Sequence, residues 1–154
     1  GGVEFFFFDT SPAVTSYREE AWAANPGGLN EQSPAGNLAE LGAALAASPA
    51  RWRLVVAHHP PSGLRVPSRA PGLDAALCPV AAAGKAAAFL SGHEHLLAWI
   101  SRPAGPCSSV PQITSGSGGA VDSKPFVPAP GVTVSPGADW WQALEAGFVE
   151  CAVA

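Results

Sequence analysis

The chemistry-bearing residues of this chain are concentrated in two short motifs. It contains four histidines, and all of them lie in His58-His59-Pro60 and Gly92-His93-Glu94-His95. Each motif directly follows a short apolar run. Imidazole is the commonest transition-metal ligand among side chains, because its neutral nitrogen is available near pH 7. Gly92 suits a tight turn that brings backbone close to a ligand. In an extended segment, His93 and His95 would point to the same side, roughly 6–7 Å apart. That is awkward for one ion but suits two ions about 3.5–4 Å apart, as in two-metal hydrolytic sites. His59 taken alone reads as an ordinary core or surface residue. Glu94 reads as solvent-facing, or as a carboxylate that orients a ligating imidazole.

The elements around these motifs are those of an α/β fold. Val3 to Phe8 is a continuous aromatic-rich run that ends at Asp9-Thr10, and it reads as a fully buried strand. Residues 24–33 read as loop. A helix is expected from Ser33-Pro34 to Ser48-Pro49, with Leu38, Leu41, Ala44 and Leu45 at helical spacing. Trp52 to Ala57 reads as a second buried strand whose tip delivers the first histidine motif. Leu73 to Ala83 reads as a helix that Pro79 ends or kinks. Ala86 to Leu90 is a third strand, Leu96 to Ser101 a fourth and Gln112 to Thr114 a fifth. Residues 102–111 and 115–138 are rich in Pro, Gly and Ser and read as loops. Ala146 to Val153 reads as a closing strand. Trp140-Trp141 reads as packing by a loop or edge strand. Strands alternating with helices argue for a layered α/β body, in which functional residues gather beyond strand ends.

The whole chain narrows the function classes. Its 154 residues suffice for one domain with a core, and 47% are hydrophobic against 13% charged. The net charge of −4, with no basic cluster, gives nucleic-acid binding little electrostatic support. No apolar run approaches the roughly 20 residues of a membrane-spanning helix. The sequence contains no methionine, which fits a cut or incomplete chain, or one that has been processed. Cys78, Cys107 and Cys151 fit no zinc or redox spacing. They read first as buried thiols, with one disulfide plus an odd thiol as the alternative in an oxidising compartment. Spacing selects no pairing.

The run from Leu54 to Pro60 and the run from Ala88 to His95 together resemble the calcineurin-like metallophosphoesterases. Within that family they are most similar to purple acid phosphatases of the tartrate-resistant type. Phe5 to Pro12 resembles that group's strand ending in Asp-Thr, and Leu41 to Trp52 its helix before the histidine strand. Thr114 to Gly119 resembles its Thr-Ser-Gly segment. The resemblance covers most of residues 3–119 and, more weakly, Gly147-Phe148.

The fold it implies is the C-terminal half of a layered α/β metallophosphoesterase sandwich. Residues 1–154 are then a partial domain whose partner is the missing N-terminal half. The resemblance implies metal-ligand roles for His58, His93 and His95. The implied cofactor is a dinuclear centre of iron with iron, zinc or manganese. The implied reaction is hydrolysis of a phosphomonoester through attack by a metal-bound hydroxide. His59, Glu94 and Arg65 stand as candidates near the substrate or behind the ligands. Arg65 and its neighbour Arg69 either meet phosphate through a bidentate fork or are solvated loop charges. Acid phosphatases of this type are secreted, vacuolar or lysosomal.

The departures from the family are as informative. Its first half supplies an Asp-x-His, a Gly-Asp with a nearby tyrosine ligand, and a Gly-Asn-His. None of these occurs here, and Tyr17 does not match the tyrosine ligand. Three neutral imidazoles without a carboxylate would neutralise two multivalent ions poorly. The isolated chain is therefore expected to bind metal weakly and to hydrolyse little phosphate. A related diesterase or nucleotide hydrolase, and a degenerate scaffold that only binds, are the competing readings.

Overall fold

A computed structural model describes residues 1–64, 70–103, 105–119, 140–143 and 147–150. Arg65, Arg69, Cys151 and most of the Pro-rich 119–138 stretch lie outside the described residues. The strands are β1 (Val3–Phe8), β2 (Trp52–Ala57), β3 (Ala88–Ser91), β4 (Leu96–Ile100), β5 (Gln112–Ser115) and β6 (Trp140–Ala143). They form one six-stranded sheet in the order β1-β2-β3-β5-β4-β6. The β1, β2, β3 and β5 pairings are parallel, while β4 runs antiparallel to both β5 and β6. The architecture is thus the expected mixed α/β layer.

Among the described residues, three α-helices accompany the sheet: α1 (Thr15–Arg18), α2 (Pro34–Ala47) and α3 (Leu73–Ala83). Helix α2 starts where its residues dictate. The Ser33 hydroxyl caps it by accepting from the Gly36 N–H at 3.1 Å, and Pro34 occupies the first turn, where no N–H is needed. Leu41 and Leu45 of α2 pack with Leu73, Leu77 and Ala81 of α3 against Phe6, Val55 and Phe89 of the sheet. Helix α3 continues through Pro79, which was expected to end or kink it. Leu77, Cys78 and Ala81 are fully buried around that position. Their packing offsets the cost of a proline inside a helix, about 3 kcal/mol.

The cysteines correct another expectation. Cys78 of α3 and Cys107, in a 3-10 turn at Gly105–Cys107, form a disulfide rather than remaining thiols. Both are fully buried in the main core, so the bond fastens the helix layer to the connection between β4 and β5.

Strand β1 is not buried on both faces. Phe6 faces the core, but Phe5 is 51% and Phe7 81% exposed, and Val3 is exposed as well. The reason is positional. β1 is the edge strand among the described residues, and the register sets Val3, Phe5 and Phe7 beside Trp52, Leu54 and Val56 on the face away from the α2–α3 layer. Parallel strands are ordinarily covered on both faces, so this apolar row is unusual.

The C-terminal expectation also shifts. Residues 147–150 form no strand. The Gly147 N–H bonds the Ser117 carbonyl and the Val149 N–H the Ser115 hydroxyl, which ties the segment to the end of β5 and the loop after it without a ladder. The last described strand is instead Trp140–Ala143 on the edge beside β4, in line with the edge-strand reading of the tryptophan pair.

Candidate metal centre

Strand register alone brings the two histidine motifs together. Phe8 pairs with Ala57, and Ala57 with Ser91, so the carboxyl ends of β1, β2 and β3 lie in one row. The next residues along each strand are therefore neighbours. The Gly92 N–H donates to the His58 carbonyl at 3.1 Å. One residue further on, His93 Nδ1 lies 3.3 Å from His58 Nε2.

The stretch after Gly92 is not extended. The Glu94 N–H bonds the Gly92 carbonyl, and the Leu96 N–H bonds the Glu94 carbonyl, both at 2.7 Å. These are three-residue turns centred on His93 and His95. His93 sits in the left-handed region at φ 62°, where a non-glycine residue is uncommon. The turns replace the straight geometry expected for the His93 and His95 pair.

Among the described residues, His58, His59 and His93 form a group whose ligand atoms all lie within 4.8 Å of one another. Their ring centroids are 4.7 Å apart for His58 and His59, 5.1 Å for His58 and His93, and 4.4 Å for His59 and His93. His58 is exposed, His93 half-buried and His59 only 2% exposed. His95 is half-buried and does not join this group. The structure therefore brings His58 and His93 together and adds His59 to them.

His59 has a built surrounding. Its Nδ1 lies 2.8 Å from the Thr10 hydroxyl oxygen, which also accepts from the His59 backbone N–H at 3.1 Å. Thr10 is fully buried. The Tyr17 ring lies 5.8 Å from the His59 ring. Thr10 and Tyr17 were not anticipated as parts of the site. Asp-Thr at a strand tip was the one available signal for Thr10.

Glu94 is not solvent-facing. It is 5% exposed, and one carboxylate oxygen accepts from the Leu64 N–H at 2.9 Å. Gln112, equally unanticipated, accepts from the Ser62 N–H at 3.0 Å. Together they hold the loop after Pro60-Pro61 against the turn before β4 and against β5. Glu94→Ala would leave the buried Leu64 N–H without this acceptor, and a loss of about 1–3 kcal/mol is expected. Glu94→Gln, which retains a carbonyl acceptor, should lose less. Urea denaturation of the two variants measures both.

The donor set defines the chemistry available. Three neutral imidazoles suit zinc, copper, iron or nickel, and not magnesium or calcium. No Asp or Glu belongs to the group among the described residues. The residues thus fit a metal ion but do not provide a carboxylate to bridge two.

No family model matches the chain. Similar proteins are nonetheless clear. Purple acid phosphatase 17 of Arabidopsis thaliana is 33% identical over 122 residues, which is 75% of this chain and 35% of that protein. Purple acid phosphatase 4 of the same plant is 29% identical over 120 residues, 75% of this chain and 34% of that protein. Purple acid phosphatase 3 is 32% identical over 123 residues, with 75% and 32% covered. Among solved structures, GAP50, the anchor in the inner membrane complex of Plasmodium, superposes with a TM-score of 0.60. It is 18% identical, and the match covers 95% of this chain and 40% of that one. The chain spans about a third of the length of the curated relatives it matches. In sequence it is similar to the purple acid phosphatases, and in architecture it is a metallophosphoesterase-like α/β chain.

Proposed function

We propose that this chain supplies the histidine side of a metal-dependent acid phosphatase site, acting on phosphomonoesters. The carrying observation is the 3.3 Å approach of His93 Nδ1 to His58 Nε2 at the tips of adjacent parallel strands. In the complete site, His58 and His93 would hold the divalent ion and His95 the ferric one. Iron with iron, zinc or manganese would supply a nucleophile at low pH and offset charge developing on phosphate. The carboxylate side would come from a further segment of the same domain, packed on the apolar row of Val3, Phe5 and Phe7. The exposure of that row and the greater length of the relatives support this arrangement.

The test is turnover of an aryl phosphomonoester, compared with an aryl phosphodiester, in the presence of added iron and zinc. The 154 residues alone are expected to give no metal-dependent turnover. Joined to a segment that carries Asp-x-His, Gly-Asp and Gly-Asn-His, they should hydrolyse the monoester. His93→Ala should then reduce the rate about 100-fold or more. Robust turnover by the isolated chain, or a joined protein that cleaves only the diester, would overturn the reading.

A further inference from the structure

We propose that Glu94 and Gln112 are positioning residues, which make the 60–64 loop part of the candidate centre by fastening it to the turn that carries His93 and to β5. An ion held at the strand tips would then order this loop, and the loop would in turn raise the ion's affinity. The inference rests on the histidine motifs accepting a cation. It goes beyond the phosphatase reading, because it requires no turnover.

The loop begins where the first histidine motif ends. Pro60, Pro61 and Leu64 are buried, and Ser62 and Gly63 are half-buried. Proline lacks an N–H, so Ser62 is the first residue after the two prolines able to donate one. Loops ordinarily run over the surface, where water meets such donors. Here two of them meet buried side chains from far along the chain. The Ser62 N–H donates to Gln112 Oε1 at 3.0 Å, across 50 positions, and the Leu64 N–H to the Glu94 carboxylate at 2.9 Å, across 30. Both acceptors are almost wholly buried.

Packing alone does not account for either side chain. A buried carboxylate is costly unless it is bonded, and a charged acceptor makes the stronger bond. Gln112 lies beside Phe89 of β3, where an aliphatic side chain would carry no polar cost. Its Nε2 is buried with no hydrogen-bond partner among the described residues, so the bond from Ser62 is what the amide provides. Gly63 makes the fit steric as well as polar. A Cβ there would overlap the Glu94 carboxylate, so the loop backbone lies directly against that group.

Glu94 also belongs to the turn after Gly92. Its N–H bonds the Gly92 carbonyl, and its own carbonyl accepts from the Leu96 N–H. His93 is enclosed by the first of these bonds. A shift of His93 toward an ion therefore carries the Glu94 carboxylate with it, and Leu64 follows. Linkage makes the effect reciprocal: the factor by which the ion orders the loop is the factor by which the ordered loop raises affinity for the ion.

The test is amide hydrogen exchange, read by NMR on the 154-residue chain with and without Zn2+, together with Zn2+ titration against a chromophoric chelator. Zn2+ is expected to slow exchange at Leu64 at least about 5-fold more than at Leu45, a fully buried core residue whose amide reports global opening. Glu94→Ala removes the carboxylate and Gly63→Ala displaces it. Each should abolish the difference between Leu64 and Leu45 and weaken Zn2+ binding about 5-fold or more. Glu94→Gln keeps an acceptor and should retain the Leu64 response. Gln112→Leu should speed exchange at Ser62 at least about 10-fold. Gly63→Ala leaves Glu94 itself in place, so it decides the matter should Glu94→Ala not fold. The inference is overturned if Leu64 and Leu45 respond alike to Zn2+ or not at all, if Gly63→Ala keeps the parent's response, or if Glu94→Gln loses it. Exchange at Ser62 that is unchanged in Gln112→Leu would remove Gln112 from the assignment. Phosphate turnover is not read in any arm, so failure here leaves the phosphatase proposal to its own assay.

Discussion

Gly116→Ala should destabilise the chain by about 3 kcal/mol or more and pull the two histidine motifs apart. A Cβ at this position would fall 1.9 Å from the Glu94 carbonyl oxygen and 2.8 Å from its carbon. Both are backbone atoms, so no rotamer change relieves the overlap. The Glu94 carbonyl also accepts from the Leu96 N–H, which locks it at the start of β4. Relief therefore requires the 92–95 turn to move, and His93 moves with it. The Gly116 N–H bond to the Leu96 carbonyl, 3.0 Å long, would be strained at the same time. For a chain of this size the melting temperature should fall by roughly 10 °C. Gly118→Ala is the control in the same loop. Among the described residues its added Cβ meets only the Gly147 carbonyl, at an ordinary 3.7 Å, and its melting temperature should match the parent's. Equal melting of the Gly116 and Gly118 variants would show that the loop yields without cost.

The second large effect is expected from the Cys78–Cys107 disulfide. The two residues are 29 positions apart, and closing a loop of that length restricts the unfolded chain by roughly 3–4 kcal/mol. Both sulfurs lie in the main core with Leu77, Ala81 and Phe89, so reduction also loosens packing between α3 and the turn before β5. Differential scanning calorimetry with and without reductant should show a fall of about 10 °C. The Cys78→Ala and Cys107→Ala double variant should melt like the reduced parent and ignore reductant. A parent chain that melts identically in both buffers would mean that the bond is absent in solution.

The histidine motifs were legible because each ends an apolar run, and such runs become parallel strands whose tips meet. Strands β2 and β3 occur close to where their residues placed them, and the Ser33 cap and Pro34 located the start of α2. What was hidden depends on contacts between residues distant along the chain. Thr10 reaches His59 across 49 positions and Gln112 reaches Ser62 across 50, and no local pattern encodes either pairing. The pairing of Cys78 with Cys107, 29 positions apart, escaped for the same reason. The stretch from His93 to His95 was given strand geometry. Two turn bonds and a left-handed His93 bend the segment instead. The apolar character of β1 was taken as burial on both faces, but hydrophobicity does not reveal which face the described residues cover.

The left-handed backbone at His93 has a consequence for how this position can vary. Outside glycine, residues that tolerate such a conformation are chiefly asparagine, aspartate and histidine. All three carry side-chain atoms able to bind a cation. Steric selection on the turn and chemical selection on the centre therefore accept overlapping alphabets. Genetic drift that respects the fold at this position, short of glycine, exchanges one donor atom for another, and a ligand site inherited here is protected by its main chain as well as by its use.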